Sequence, residues 1–120
     1  MAASIYVMPI RPGRRDDFRA LVGELMGPRR VEWAQSKRRR GVTRQVVFLG
    51  KDGDRQLAMV YSEAHDPDRA FTAIAVSDDP FDRWLAGKMS ELLEARIAVE
   101  VLADTAPKPG PWRGWRRLRG

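Results

Sequence analysis

Val42-Thr-Arg-Gln-Val-Val-Phe-Leu-Gly50 and Arg55-Gln-Leu-Ala-Met-Val-Tyr-Ser-Glu63 flank the short segment Lys51-Asp-Gly-Asp54. Both runs are rich in β-branched and aromatic residues, which suit a pleated, half-buried surface. Asp52-Gly53 between them is a strong signal for a two-residue hairpin turn of type I′, which needs positive φ at both central positions. That register sets Leu49 against Gln56, Val47 against Ala58 and Gln45 against Val60. One face then carries Val47, Leu49, Ala58 and Val60. The other carries Arg44, Val46, Phe48, Leu57, Met59, Tyr61 and Glu63. Both faces are apolar near the turn, so the reading predicts a sheet covered on both sides.

Working outward, residues 4–10 form a first strand ended near Pro9, and Pro12-Gly13 makes a turn. Asp16 and Asp17 then sit in the first turn of a helix, where their charge complements the backbone dipole. Its apolar face is Phe18, Leu21, Val22, Leu25 and Met26. Gly27-Pro28 breaks that helix, and a second piece with Val31, Trp33 and Ala34 closes at Gly41. After the hairpin, Asp66-Pro67 and Asp79-Pro80 each pair an N-cap with proline at the first helical position. The first of these helices shows Ala70, Phe71, Ile74 and Ala75. The second shows Phe81, Trp84, Leu85, Met89, Leu92 and Leu93. Residues 96–102 alternate and read as a last strand.

The order is β-α-β-β-α-β, which predicts an α+β, ferredoxin-like domain with a four-stranded antiparallel sheet over residues 1–104. Helices cover one sheet face, and a second copy packed sheet to sheet covers the other, giving a homodimer.

The chain has 120 residues and no cysteine, which excludes a disulfide scaffold and thiolate metal sites. One histidine excludes a multi-histidine metal site within one chain. No apolar run is long enough for a membrane span, and the N-terminal residues lack a secretory pattern, so a cytoplasmic location is expected. The net charge of +6 suggests a nucleic-acid partner until its position is considered. Residues 105–120, a Pro/Gly/Trp/Arg-rich tail, hold Lys108, Arg113, Arg116, Arg117 and Arg119 and no acid. Residues 1–104 hold 17 basic and 16 acidic groups. Trp112 and Trp115 among those arginines suit base stacking or a membrane surface, and the stretch reads also as a solvated terminus, or as an arm whose tryptophans pack on a partner subunit. The basic run Lys37-Arg38-Arg39-Arg40 ends a helix, where cations complement the dipole without any ligand.

The stretches Thr43–Leu49, Tyr61–Pro67 and above all Ser77-Asp-Asp-Pro-Phe-Asp-Arg-Trp84 resemble the dimeric α/β-barrel superfamily, and within it a family of small actinobacterial domains of unknown function. The resemblance spans residues 4–103, and only the segment 77–84 is specific. The superfamily includes cofactor-independent monooxygenases, aromatic polyketide cyclases and haem-handling proteins, with a ligand cavity between sheet and helices. The resemblance therefore implies a small enzyme of cyclase, isomerase or monooxygenase type, acting on an apolar or aromatic metabolite without a cofactor. The alternatives are a ligand-binding or scaffold protein of the same fold, and a nucleic-acid-associated protein using its tail.

His65 has an ordinary pKa near neutrality and is a candidate general acid or base; it reads equally as an exposed loop histidine. Glu63 and Tyr61 complete the catalytic candidates. Arg44, Phe48, Met59, Phe81 and Trp84 are the ligand-lining candidates. Against those roles stand ion pairs across strands or at a dimer interface for Arg44 and Glu63, and plain core packing for Phe81 and Trp84. There is no glycine-rich phosphate loop or carboxylate-rich metal loop, and no metal or cofactor is expected.

Overall fold

A computed structural model describes residues 1–106, so the basic residues and tryptophans of the tail lie outside the described part of the chain. The elements are β1 (Ala2–Pro9), α1 (Arg15–Met26), α2 (Arg30–Arg39), β2 (Val42–Asp52), β3 (Arg55–Ala64), α3 (Pro67–Val76) and α4 (Pro80–Leu92). The strands form an antiparallel sheet in the order β1-β3-β2. Four helices lie on one side of it.

Asp66 accepts from the Arg69 N–H at 3.1 Å and Asp79 from the Phe81 and Asp82 N–H groups at 3.0 and 3.2 Å, so both expected caps form. Gly13, Gly41 and Gly53 take positive φ at the three turns. The hairpin register differs from the sequence reading by two residues. Asp52 pairs with Arg55, Leu49 with Ala58 and Val47 with Val60, so the loop is Gly53-Asp54. Only Gly53 adopts positive φ, at +57°, as a type II′ turn requires at its first central position. A type I′ turn on Asp52-Gly53 would force an aspartate into that region as well. A shift of two leaves every side chain on its expected face.

One face of the sheet is closed by helices. Tyr6, Met8 and Ala58 are buried there with Phe18, Leu21 and Leu25 of α1, Trp33 of α2, Ile74 of α3, and Phe81, Leu85 and Leu92 of α4. Met26 falls outside the α1 stripe and is exposed, as is Val31. A bulge at Thr43 turns Val42 inward against Ala64 and Ala70. The opposite face carries Ile5, Val46, Phe48, Met59 and Tyr61. No described residue covers it, and Phe48 is 47% exposed. Gly50 lets the Met59 side chain lie close across the strand, where a Cβ would approach its terminal methyl to 2.6 Å.

The expected fourth strand is not formed. Residues 93–97 follow the free edge of β1 through two isolated bridges, Ile10 with Leu93 and Val7 with Ile97. The Ile97 N–H donates to Val7 O at 2.7 Å and the Glu94 N–H to Pro9 O at 2.8 Å. The two bridges differ in register by one residue, so no continuous ladder develops. Beyond Ile97 the chain is exposed, Leu102 by 87%. An alternating segment gains little from pairing when its apolar side has no surface to bury. Among the described residues the sheet is therefore three-stranded, with the last segment placed where a fourth strand would lie.

Candidate functional site

Between sheet and helices lies an apolar chamber of about 60 Å³. Met8, Val47 and Val60 form its floor, and Leu21, Val22, Trp33, Ile74 and Leu85 its helical walls. Met8, Phe71, Met89 and Leu93 also line a second, more open space of about 420 Å³, whose rim carries Arg11, Thr72, Ser90, Glu94 and Arg96. The chamber thus adjoins a polar mouth, with a methionine and a phenylalanine of the helices between them. Methionine is unbranched and readily re-packs, so Met89 is an adaptable side chain between the two spaces.

One wall of the mouth is an aromatic stack. The rings of Tyr6 and Phe71 lie 4.2 Å apart, nearly parallel, and the Arg96 guanidinium sits 5.4 Å from the Phe71 ring centre. The Tyr6 hydroxyl donates to Asp68 Oδ1 at 3.2 Å, and Arg96 Nη1 lies 3.8 Å from the same oxygen. Burial, joined by the nearby Asp68 carboxylate, pushes the Tyr6 hydroxyl up to about 12.

Two ionisable groups are linked through Ser36, of which Arg40 lines the chamber and Asp82 does not. Asp82, only 2% exposed, accepts from Ser36 Oγ at 2.5 Å, Ser77 Oγ at 2.7 Å and Arg39 Nη2 at 3.2 Å. Burial alone would raise its pKa. The two serine hydrogen bonds and the adjacent Arg39 charge outweigh it, and the carboxyl is held below its usual range. The Ser36 hydroxyl, donating to Asp82, accepts from Arg40 Nε at 3.2 Å. Arg40 Nη1 donates to the Ala70 carbonyl at 3.3 Å, whereas its buried Nη2 meets no acceptor among the described residues. Arg40 lines the chamber together with Gln45, whose Nε2 donates to Ser62 Oγ at 3.0 Å. Burial lowers the Arg40 pKa, yet a guanidinium stays charged at neutral pH.

The residues singled out from sequence lie elsewhere. Tyr61, Glu63, Arg44, Phe48 and Met59 share the uncovered sheet face. There the Tyr61 hydroxyl donates to Glu63 Oε1 at 2.7 Å, which raises the tyrosine pKa, and Arg44 Nη1 lies 3.9 Å from the same oxygen. His65 is exposed at the end of β3, near Gly41. Phe81 is buried in the main core, and Trp84 carries the Arg29 guanidinium 3.9 Å above its ring. Neither lines the chamber. Sequence reasoning missed Arg40 and Ser36. The basic run at the end of α2 divides in space: Lys37 packs over Trp33, Arg39 pairs with Asp79 and Asp82, and Arg40 turns inward. Helical spacing of Ser36 and Arg40, four residues apart, was the one available signal. Among the described residues, no three His, Asp or Glu side chains come together as a metal site, and no helix is long and apolar enough to cross a membrane.

The chain is an α+β arrangement of helices on an antiparallel sheet, with an apolar chamber between the layers. The chain is similar in structure to tetracenomycin F2 cyclase from Streptomyces glaucescens, described as a type-II polyketide cyclase. The TM-score is 0.54 and the identity 19%, over 89% of this chain and 100% of that one. No protein-family model matches the chain, and no curated protein matches it in sequence. The likeness is one of fold.

Proposed function

We propose that this chain is a small, cytoplasmic, cofactor-independent enzyme of cyclase type, a member of the dimeric α/β-barrel superfamily, that takes an apolar or aromatic metabolite into the chamber between sheet and helices. The observation that carries this reading is the chamber itself. It is apolar, lined by all four helices, and adjoins the larger polar-rimmed mouth of about 420 Å³, and the two spaces together reach the roughly 300–1,000 Å³ of a small-molecule site. Shared fold with a polyketide cyclase agrees with it, although a fold hosts many chemistries. Such a chamber would catalyse by folding a flexible substrate, excluding water and offering one fixed cation to developing negative charge.

A non-catalytic ligand-binding protein is the second reading. Its support is that, among the described residues, Arg40 is the one ionisable side chain lining the chamber, with no carboxylate, histidine or tyrosine beside it to move a proton. Tyr61, Glu63 and Arg44 belong, in our reading, to the face that a second copy covers. The test is saturable binding of 2-naphthol, followed by NMR shifts of chamber methyl groups. Val22→Phe, which narrows the chamber, is expected to weaken binding at least tenfold, or about 1.4 kcal/mol, while Tyr61→Phe, Glu63→Gln and His65→Ala leave it unchanged. Equal affinity in Val22→Phe would place the ligand elsewhere. An aromatic polyketone recovered unchanged after tight binding would favour the second reading.

A further inference from the structure

We infer that Arg40 is the anchor for an acidic oxygen of the chamber's ligand, so that the molecule taken up is an apolar or aromatic anion: a carboxylate, or the enolate or phenolate of an acidic ketone or phenol. The inference rests on the chamber being a binding site and names what binds there.

Three features converge on this guanidinium. Its Nη2 is buried and meets no acceptor among the described residues, in a protein where every other fully buried side-chain donor or acceptor among them is paired. An unmet buried donor on a charged group is costly and rare in folded proteins. Its charge also lacks a direct partner: no carboxylate oxygen of the described residues lies within 4.0 Å of it, and both other donor contacts go to neutral oxygens. Asp82, the nearest acid to act on it, is already engaged by Ser36, Ser77 and Arg39. Finally, the group is held rather than loose. The Ser36 hydroxyl donates to Asp82, which leaves the serine lone pair toward Arg40 Nε, and the Ala70 carbonyl holds Nη1. A planar guanidinium pinned at two nitrogens presents its remaining N–H bonds in a set direction. In a lining that is apolar but for Gln45 and Trp33, such a charged donor discriminates strongly for an anionic oxygen and against its neutral isostere. Asp82 and Ser36 are positioning residues in this scheme.

The test compares 2-naphthoate with 2-naphthamide, which share shape and differ in charge, and adds 2-naphthol for the phenolic case. On the wild-type chain naphthoate is expected to bind at least about tenfold more tightly than naphthamide. Only naphthoate should shift the Arg40 side-chain nitrogen resonances. Naphthol affinity rising with pH, toward that of naphthoate, would identify the phenolate or enolate as an equal source; naphthol unaffected by pH would leave the carboxylate as the source. Arg40→Met should bring the naphthoate to naphthamide ratio to about one while naphthamide binding persists. Arg40→Lys should keep part of the preference. The wild-type measurements stand without any variant, should Arg40→Met not fold. Equal binding of naphthoate and naphthamide to the wild type, or an undiminished preference in folded Arg40→Met, overturns the anchor and leaves the chamber reading intact. Failure of every probe to bind overturns the chamber reading and the anchor with it.

Discussion

Asp82 shows how much one side chain can organise. Its carboxylate ties α2 through Ser36 and Arg39 to the start of α4 and to Ser77 in the preceding loop. Asp82→Asn is expected to destabilise the fold by roughly 1–3 kcal/mol, since it weakens several charge-assisted hydrogen bonds at a buried site; urea unfolding measures this. The pH dependence has a definite sign. The folded-state pKa is lowered, so the stabilisation is present above the ordinary carboxylate range and is lost as pH falls through the lowered value. The acid limb of stability against pH should flatten in Asp82→Asn, and an unchanged limb would assign acid sensitivity to other carboxyls. From sequence, Asp82 reads only as a helix-dipole residue in a first turn; its two serine partners lie 46 and 5 residues away.

At the scale of elements, the local signals were legible because they act over a few residues. Both Asp-Pro starts, both helix breaks and the alternation of the hairpin appear as read. Asp79 does more than cap: it accepts two backbone N–H groups and lies 3.1 Å from Arg39 Nη2, whereas Asp66 accepts one and has no such ion pair among the described residues. Asp66→Ala should therefore cost about 1 kcal/mol, and Asp79→Ala more, up to about 2 kcal/mol. Thermal unfolding of the two variants side by side checks the order; equal losses would mean the Arg39 contact adds nothing. The turn and the last strand were misread for one reason. Turn type and ladder registry depend on which residue accepts a positive φ and on what the strand can bury, and residue type alone specifies neither.

For the whole molecule, the uncovered sheet face is the outstanding feature. Ile5 and Phe48 are exposed on it, as is Ile97 at the bridge to Val7, with Val46, Met59 and Tyr61 half-buried beside them. A contiguous apolar face of this kind marks an interaction surface. Packing against a second copy would bury it symmetrically, at roughly 1 kcal/mol for each large side chain moved from half exposure to a core. It would also give the exposed segment after Ile97 a surface to lie on. We therefore predict a homodimer by light scattering at micromolar concentration, and a monomer for Phe48→Glu, which sets a charge in the middle of that face. A monomeric wild-type chain would show that the face is covered by something else.

Sequence alone determined what short-range physics governs: strand alternation, helical stripes, caps, breaks, the absence of thiol chemistry, and the division of the hairpin into two apolar faces. Only the tertiary structure decided which face the helices close, and that choice moved the candidate site. Tyr61, Glu63, Arg44, Phe48 and Met59 fall on the open face, and the chamber belongs to Met8, Val47, Val60 and the helices. It also decided that one of four consecutive cations turns inward, because burial of Arg40 depends on Ser36, Asp82 and Ala70 arriving from three helices at once. An alternating pattern says that a strand has two faces. Which one becomes an interior depends on the paths of the connections, and those are settled by packing among residues distant in the chain.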